Sequence, residues 1–128
     1  MILIDSSVWI DYLSERTSKN DRILEGLIES GNQAVLTGII LQEVLQGIKN
    51  ERSFQLTKDW LVSFPFLEPG QETYSLAAQI FRKLASKRRV PSTIDFLLAA
   101  LAIEHRMSLF TLDSDFKFIQ EHTRLKLY

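Results

Sequence analysis

The first thirteen residues constrain the fold most. Met1-Ile2-Leu3-Ile4-Asp5-Ser6-Ser7-Val8-Trp9-Ile10-Asp11-Tyr12-Leu13 runs from an apolar triplet through an acid and two hydroxyls into an amphipathic segment. That order reads as strand, turn, helix. A short strand with no polar alternation, Ile2 to Ile4, is expected to be buried on both faces, as in a parallel sheet covered by helices. Asp5 then lies at the strand's carboxyl end, the edge where open α/β sheets bind ligands because strand ends and helix amino termini converge there. The competing reading is that Asp5, Ser6 or Ser7 caps the next helix by accepting a hydrogen bond from an orphan amide. Taken alone, the stretch favours the cap. Only other acids reaching the same edge would change that.

The rest of the chain keeps the alternation going. Ser18 to Ser30 carries Ile23, Leu24, Leu27 and Ile28 at helical spacing and stops at Gly31. Ala34-Val35-Leu36 is a second buried strand, and Thr37-Gly38 turns into a helix from about Ile39 to Lys49. The apolar stripe of that helix is Ile40, Leu41, Val44, Leu45 and Ile48, so periodicity leaves Glu43 as a solvated surface acid. Gly47, unfavourable in a helix interior, suggests close approach of another group to the Glu43 flank.

Ser53 to Phe64 reads as a further helix, Phe66-Leu67 between Pro65 and Pro69 as a short strand, and Glu72 to Arg88 as a strongly amphipathic helix. The basic end of the last, Lys87-Arg88-Arg89, is explained by the helix dipole. From Pro91 to Ile103 the chain is apolar on every face, which marks a buried helix, and Ser92-x-x-Asp95 at its start resembles a capping box. Ser108 to Leu112 is a strand, Asp113 to Phe116 a turn, and Leu125 to Leu127 a terminal strand, so Asp113 repeats the situation of Asp5. Strands alternating with helices predict an α/β sandwich around a mostly parallel sheet of short strands.

Composition narrows the chemistry. At 128 residues, 45% of them hydrophobic and 24% charged, the chain supports one core, so residues 1–128 are expected to form a single domain. The absence of cysteine excludes disulfides, zinc-thiolate sites and a thiol nucleophile. With three apolar residues and no basic lead before Asp5, no signal peptide is expected, and no window approaches a membrane span. A cytoplasmic protein is the expectation. A net charge of -1 means that any nucleic-acid partner must meet a local patch.

A parallel sheet would bring Asp5, Asp95 and Asp113 to one edge. Two unit charges about 4 Å apart repel by roughly 4 kcal/mol at an effective dielectric of 20, a cost that a bound cation removes. Ligands made only of oxygen select a hard ion such as Mg²⁺ or Mn²⁺, which binds phosphate oxygens readily. The chemistry implied is metal-assisted phosphodiester hydrolysis.

The blocks that carry these acids resemble the PIN domain family, and within it the small VapC-type toxin ribonucleases. They are Ile4-Asp5-Ser6-Ser7-Val8-Trp9-Ile10-Asp11, Leu41-Gln42-Glu43-Val44-Leu45-Gln46-Gly47, Ile94-Asp95-Phe96-Leu97-Leu98-Ala99-Ala100-Leu101-Ala102 and Thr111-Leu112-Asp113-Ser114-Asp115-Phe116. The resemblance implies that Asp5, Glu43, Asp95 and Asp113 are catalytic, metal-binding acids, with Asp115, Thr111 and Ser6 in support. It selects Glu43, which periodicity did not. It further implies Mg²⁺ or Mn²⁺ as cofactor, an RNA substrate, a homodimer, and an antitoxin that blocks the acidic groove. Lys83, Lys87, Arg88 and Arg89, with Lys49 and Arg52, are candidates for a basic rim that meets RNA. Asp11 reads as exposed or structural, and His105 and His122 as structural or surface residues. Two alternatives stay open: a PIN-like binding module without turnover, and a DNA-directed nuclease of the same fold.

Overall fold

A computed structural model describes residues 1–14, 17–31, 33–87 and 91–128. In chain order the elements are β1 (Ile2–Ile4), α1 (Ser6–Leu13), α2 (Lys19–Glu29), β2 (Ala34–Val35), α3 (Gly38–Gln46), α4 (Glu51–Leu61), α5 (Gln71–Leu84), α6 (Thr93–Glu104), β3 (Ser108–Phe110), α7 (Asp115–His122) and β4 (Lys126–Leu127). The strands form a four-stranded sheet in the order β2-β1-β3-β4. Every pairing is parallel: Leu3 lies opposite Val35 on one side and Leu109 on the other, and Leu109 opposite Leu127. Parallel strands need crossovers, and the helices that supply them cover the sheet.

Burial follows the sequence pattern. Leu3, Ile4, Ala34, Leu36, Leu109 and Leu101 are fully buried, and α6 is apolar all round because it runs through the interior, burying Phe96 and everything from Leu98 to Ala102. Trp9 is also sealed. Its ring meets Trp60 edge-on at 5.6 Å and Phe64 at 5.2 Å, which ties α1 to α4, while its indole N–H finds no acceptor among the described residues. No helix among the described residues is long and apolar enough to cross a membrane.

Four expectations change. Phe66-Leu67 forms a single parallel bridge, Leu36 to Phe66, rather than a strand. Pro65 and Pro69 flank it, and proline donates nothing to a ladder. Asp113 to Phe116 is not only a turn but the entry to α7, an element the sequence reading left out. The helix placed from Ile39 to Lys49 ends at Gln46, so Gly47 is its carboxyl-terminal cap rather than an interior residue. A Cβ there would meet only the Val44 carbonyl oxygen at an ordinary 3.7 Å, so nothing crowds that flank. Gly38 is the crowded glycine instead, with the Glu68 carboxylate 3.2 Å from a Cβ position and bonded to the Gly38 N–H at 2.8 Å.

Candidate functional site

Parallel strands place their carboxyl ends at one edge, and the turns after β1 and β3 each carry an acid there. Asp5 follows β1 and is only 5% exposed. It stands at the amino-terminal cap of α1, yet its side chain makes no capping bond. Its Oδ2 instead accepts hydrogen bonds from the Ser7 hydroxyl at 2.6 Å and the Thr111 hydroxyl at 2.8 Å. The capping reading therefore fails for Asp5: both donors hold the carboxylate at the sheet edge.

Thr111 and Ser7 are the hub of this edge. Thr111 accepts the Asp113 N–H at 3.0 Å while donating to Asp5, so one hydroxyl orients the turns after β1 and β3 together. Ser7 accepts the Leu112 N–H at 3.0 Å while also donating to Asp5. Sequence reasoning named Thr111 and Ser6 but missed Ser7. A hydroxyl two residues after an acid is a common local turn pattern, and only its contact across the sheet reveals the second role.

Three acids converge, from α6, from the turn after β3 and from the start of α7. Carboxylate oxygens of Asp95, Asp113 and Asp115 lie within 4.8 Å of one another. Asp95 comes from the first turn of α6, where the capping box is real: Ser92 N–H donates to Asp95 Oδ2 at 3.0 Å, and Asp95 N–H to the Ser92 hydroxyl at 3.2 Å. Capping and clustering are thus compatible, because the box aims the carboxylate. Asp113 is held by the Asp115 N–H, which donates to its Oδ1 at 2.9 Å, and it is exposed where the other two are half-buried.

Glu43 is half-buried rather than a solvated surface acid. Burial raises its carboxyl above the ordinary range, the charge of Asp5 raises it further, a hydrogen bond from Ser6 opposes this, and Asp95 adds a smaller push upward. Ser6 is the neighbour that favours the charged form of Glu43. Asp95 is likewise raised, first by burial and then by Asp113 and Asp115, against the lowering effect of its bonds to Ser92. Glu43 thus feels Asp5 and Asp95, and Asp95 feels Asp113 and Asp115.

The donor set suits a hard divalent cation. It is all carboxylate oxygen, and two oxygens on one Mg²⁺ can stand no more than about 4.2 Å apart, a small adjustment from the spacing of Asp95, Asp113 and Asp115. Neutralising the cluster would relieve the repulsion that raises Asp95.

The order of these elements and acids has a match. Residues 2–121 fit the family described as PIN domain. The chain belongs to the PIN domain family. This PIN domain is 29% identical over 132 residues to VapC ribonuclease Mb1587 of Mycobacterium bovis, an alignment covering 98% of this chain and 96% of that protein. Its fold matches that of VapBC2 from Rickettsia felis, solved bound to a DNA fragment from their promoter, with a TM-score of 0.81 at 21% identity over 100% of this chain and 98% of that one. It also matches the DNA-bound VapBC of Salmonella typhimurium, with a TM-score of 0.82 at 17% identity over 99% and 96%. The α/β sandwich read from the sequence is the PIN fold.

The described residues of the expected basic rim lie on α5, just beyond it and around the start of α4. Lys83 Nζ donates to the His122 carbonyl at 2.7 Å, linking α5 to the end of α7, and Lys87 is exposed just beyond α5. Arg88 and Arg89 lie outside the described residues. Lys49 and Arg52 are exposed around the start of α4. Asp11 is structural: its Oδ2 accepts the Ser18 hydroxyl at 2.7 Å, joining α1 to the capping residue of α2. His105 caps α6 at the surface, and His122 Nδ1 lies 3.0 Å from the Phe118 carbonyl.

Proposed function

We propose that this PIN domain is a divalent-metal-dependent endoribonuclease, the toxin of a toxin-antitoxin pair, which hydrolyses RNA phosphodiester bonds at the acid cluster. One observation carries the reading: carboxylate oxygens of Asp95, Asp113 and Asp115 cluster within 4.8 Å, with Glu43 under the influence of both Asp5 and Asp95, in a chain related along its length to proteins named VapC ribonucleases. Asp5, Glu43, Asp95 and Asp113 are its catalytic acids, and Asp115 joins Asp95 and Asp113 in holding Mg²⁺, or Mn²⁺ in its place. When bound, the ion polarises a phosphate oxygen and makes water a better nucleophile.

The protein's own contribution is position and proton handling. Thr111 and Ser7 hold Asp5. Ser92 fixes Asp95, and the Asp115 amide fixes Asp113. Glu43, its carboxyl raised by burial and by Asp5, is the group suited to take a proton from the attacking water.

An antitoxin and a second copy of the chain both require apolar surface, and two exposed grooves offer it. Ile10 and Leu13 of α1 face Val44 and Ile48 in a groove of about 270 Å³. Tyr74, Phe81, Phe96 and Leu97 line another of about 400 Å³ between α5 and α6. Cytoplasmic action on RNA accords with this reading.

The test is incubation of the purified chain with total RNA and Mg²⁺ or Mn²⁺, followed by mapping of the cut ends. Single-stranded DNA, chelator and Asp95→Asn serve as controls. Metal-dependent RNA cuts lost in the variant support the proposal. Cleavage of DNA alone, or RNA binding with no cuts, would overturn it in favour of a DNA nuclease or a silent binding module.

A further inference from the structure

We propose a second phosphate site, away from the acid cluster, that grips the backbone of single-stranded RNA. It lies where α6 ends and β3 and β4 begin. Ala102, Ile103, Arg106, Met107, Arg124 and Lys126 enclose a cavity of about 260 Å³, with three cations and no acid among them. Among the described residues none of the three charged side chains has an ion-pair or hydrogen-bond partner. Like charges gathered this way repel unless an anion joins them. The volume is below that of ordinary small-molecule pockets, which suits one phosphate group of a longer chain.

Arg106 supplies an independent observation. Helix α6 closes with the Arg106 N–H donating to the Ile103 carbonyl at 3.1 Å and the Met107 N–H to the Ala102 carbonyl at 2.9 Å. This pairing requires a left-handed residue between cap and strand, a position where glycine is usual. Arg106 occupies it at φ 54, the one non-glycine residue with positive φ among those described. Arginine has a Cβ that disfavours this conformation, whereas glycine adopts it freely. A strained backbone that carries a long cation, beside two further unpaired cations, points to a ligand for that cation. Guanidinium groups suit phosphate through paired N–H donors.

The choice of RNA as the ligand rests on the ribonuclease reading. Asp95 opens α6 and Arg106 lies just beyond its end, so the rise of the helix separates the two sites by roughly 15 Å. An extended strand cut at one site can be held at the other. The three cations would then add affinity without taking part in the chemistry.

The experiment measures anisotropy of a labelled single-stranded RNA oligonucleotide in chelator, where nothing is cut, from about 50 to 200 mM salt. Arg106→Gly, Arg124→Ala and Lys126→Ala are each expected to bind severalfold more weakly at low salt. Each should also lower the slope of log K against log salt by about 0.7, the value for one phosphate contact on a single strand. Lys58→Ala, an exposed cation of α4, should change neither. Arg106→Gly should melt no lower than wild type, because it relieves the backbone while it weakens binding, and Arg106→Asn gives a second variant tolerant of the left-handed conformation. Unchanged slopes in all three cation variants would overturn the proposal. So would inorganic phosphate, at matched ionic strength, binding the cavity while oligonucleotide affinity ignores the variants. Cleavage measured in parallel separates the two readings: metal-dependent cutting with unchanged slopes sinks this site alone, whereas reduced slopes without any cutting sink the ribonuclease reading and leave the site standing.

Discussion

The Thr111 hydroxyl donates to Asp5 Oδ2 at 2.8 Å, joining residues 106 positions apart in the chain. β1 and β3 are parallel neighbours, with Ile4 opposite Phe110, so the residues that follow these strands face each other at the sheet edge. A carboxylate that is 5% exposed needs such donors. The same hydroxyl orients Asp113 through its backbone N–H.

Thr111→Val keeps the shape and removes both bonds. Leaving a buried carboxylate short of a donor is expected to cost about 1–3 kcal/mol. Chemical denaturation should show the midpoint falling, and metal-supported cleavage should fall with it because Asp5 and Asp113 lose their common anchor. Ser7→Ala should act in the same direction. An unchanged midpoint in both variants would mean that the hub does not hold the edge together.

Asp95→Asn retains an oxygen for the Ser92 N–H and removes one charge from a crowded cluster. Cleavage should be lost, yet the variant should melt no lower than wild type in chelator, since burial and the neighbouring acids oppose the charge at this position. Saturating Mg²⁺ should raise the wild-type melting temperature through linkage, by about 2.7 kcal/mol of stability at 100 times the dissociation constant. The variant should lose most of that rise. A marked drop in chelator would show that the charge of Asp95 serves mainly as a helix cap.

Acid titration carries an unusual sign here. Glu43 and Asp95 both titrate above the ordinary 4.5 and 3.8 when folded, so over that interval the native state binds more protons than the unfolded one. Without metal, their contribution favours folding below the ordinary values and is lost as pH rises through the raised ones. Urea midpoints in chelator, compared between wild type and Asp95→Asn, should converge at acid pH and separate, variant higher, toward neutrality. Cleavage with Mg²⁺ should rise with pH over the same interval as the ligands shed protons. A variant that tracks wild type at every pH would remove Asp95 from this account.

Trp9 offers a check on the core. Trp9→Ala should cost about 3–5 kcal/mol, the usual loss for a large buried aromatic. Trp9→Phe should cost much less, because the smaller ring also removes an indole N–H that has no acceptor among the described residues. Thermal melts of the two variants test this order, and equal losses would show that the indole N–H carries no penalty.

Much of the fold is legible from local pattern. Ile2 to Ile4, Ala34 to Leu36 and Ser108 to Leu112 read as buried strands, which the fold realises as Ile2–Ile4, Ala34–Val35 and Ser108–Phe110, and the uniformly apolar run after Ser92 reads as a buried helix, because burial selects side chains directly. The capping box of Ser92 and Asp95 is equally local and appears as read. Helix α7 went unread because its start lies within a turn pattern and its buried face is narrow, with only Phe116 and Ile119 covered.

What the sequence determines by itself is the alternation of strands and helices and the acid that follows each of two strands, since backbone propensity and hydrophobic period act over a few residues. Only the tertiary structure decides that Glu43 is half-buried and feels the charge of Asp5, that Ser7 and Thr111 share one carboxylate, and that Asp115 joins Asp95 and Asp113. Those relationships depend on parallel register and helix placement, which bring together residues that no local pattern connects. A charge whose surroundings arrive from distant parts of the chain carries no local sign of its role, and so the site becomes visible only once the sheet is assembled.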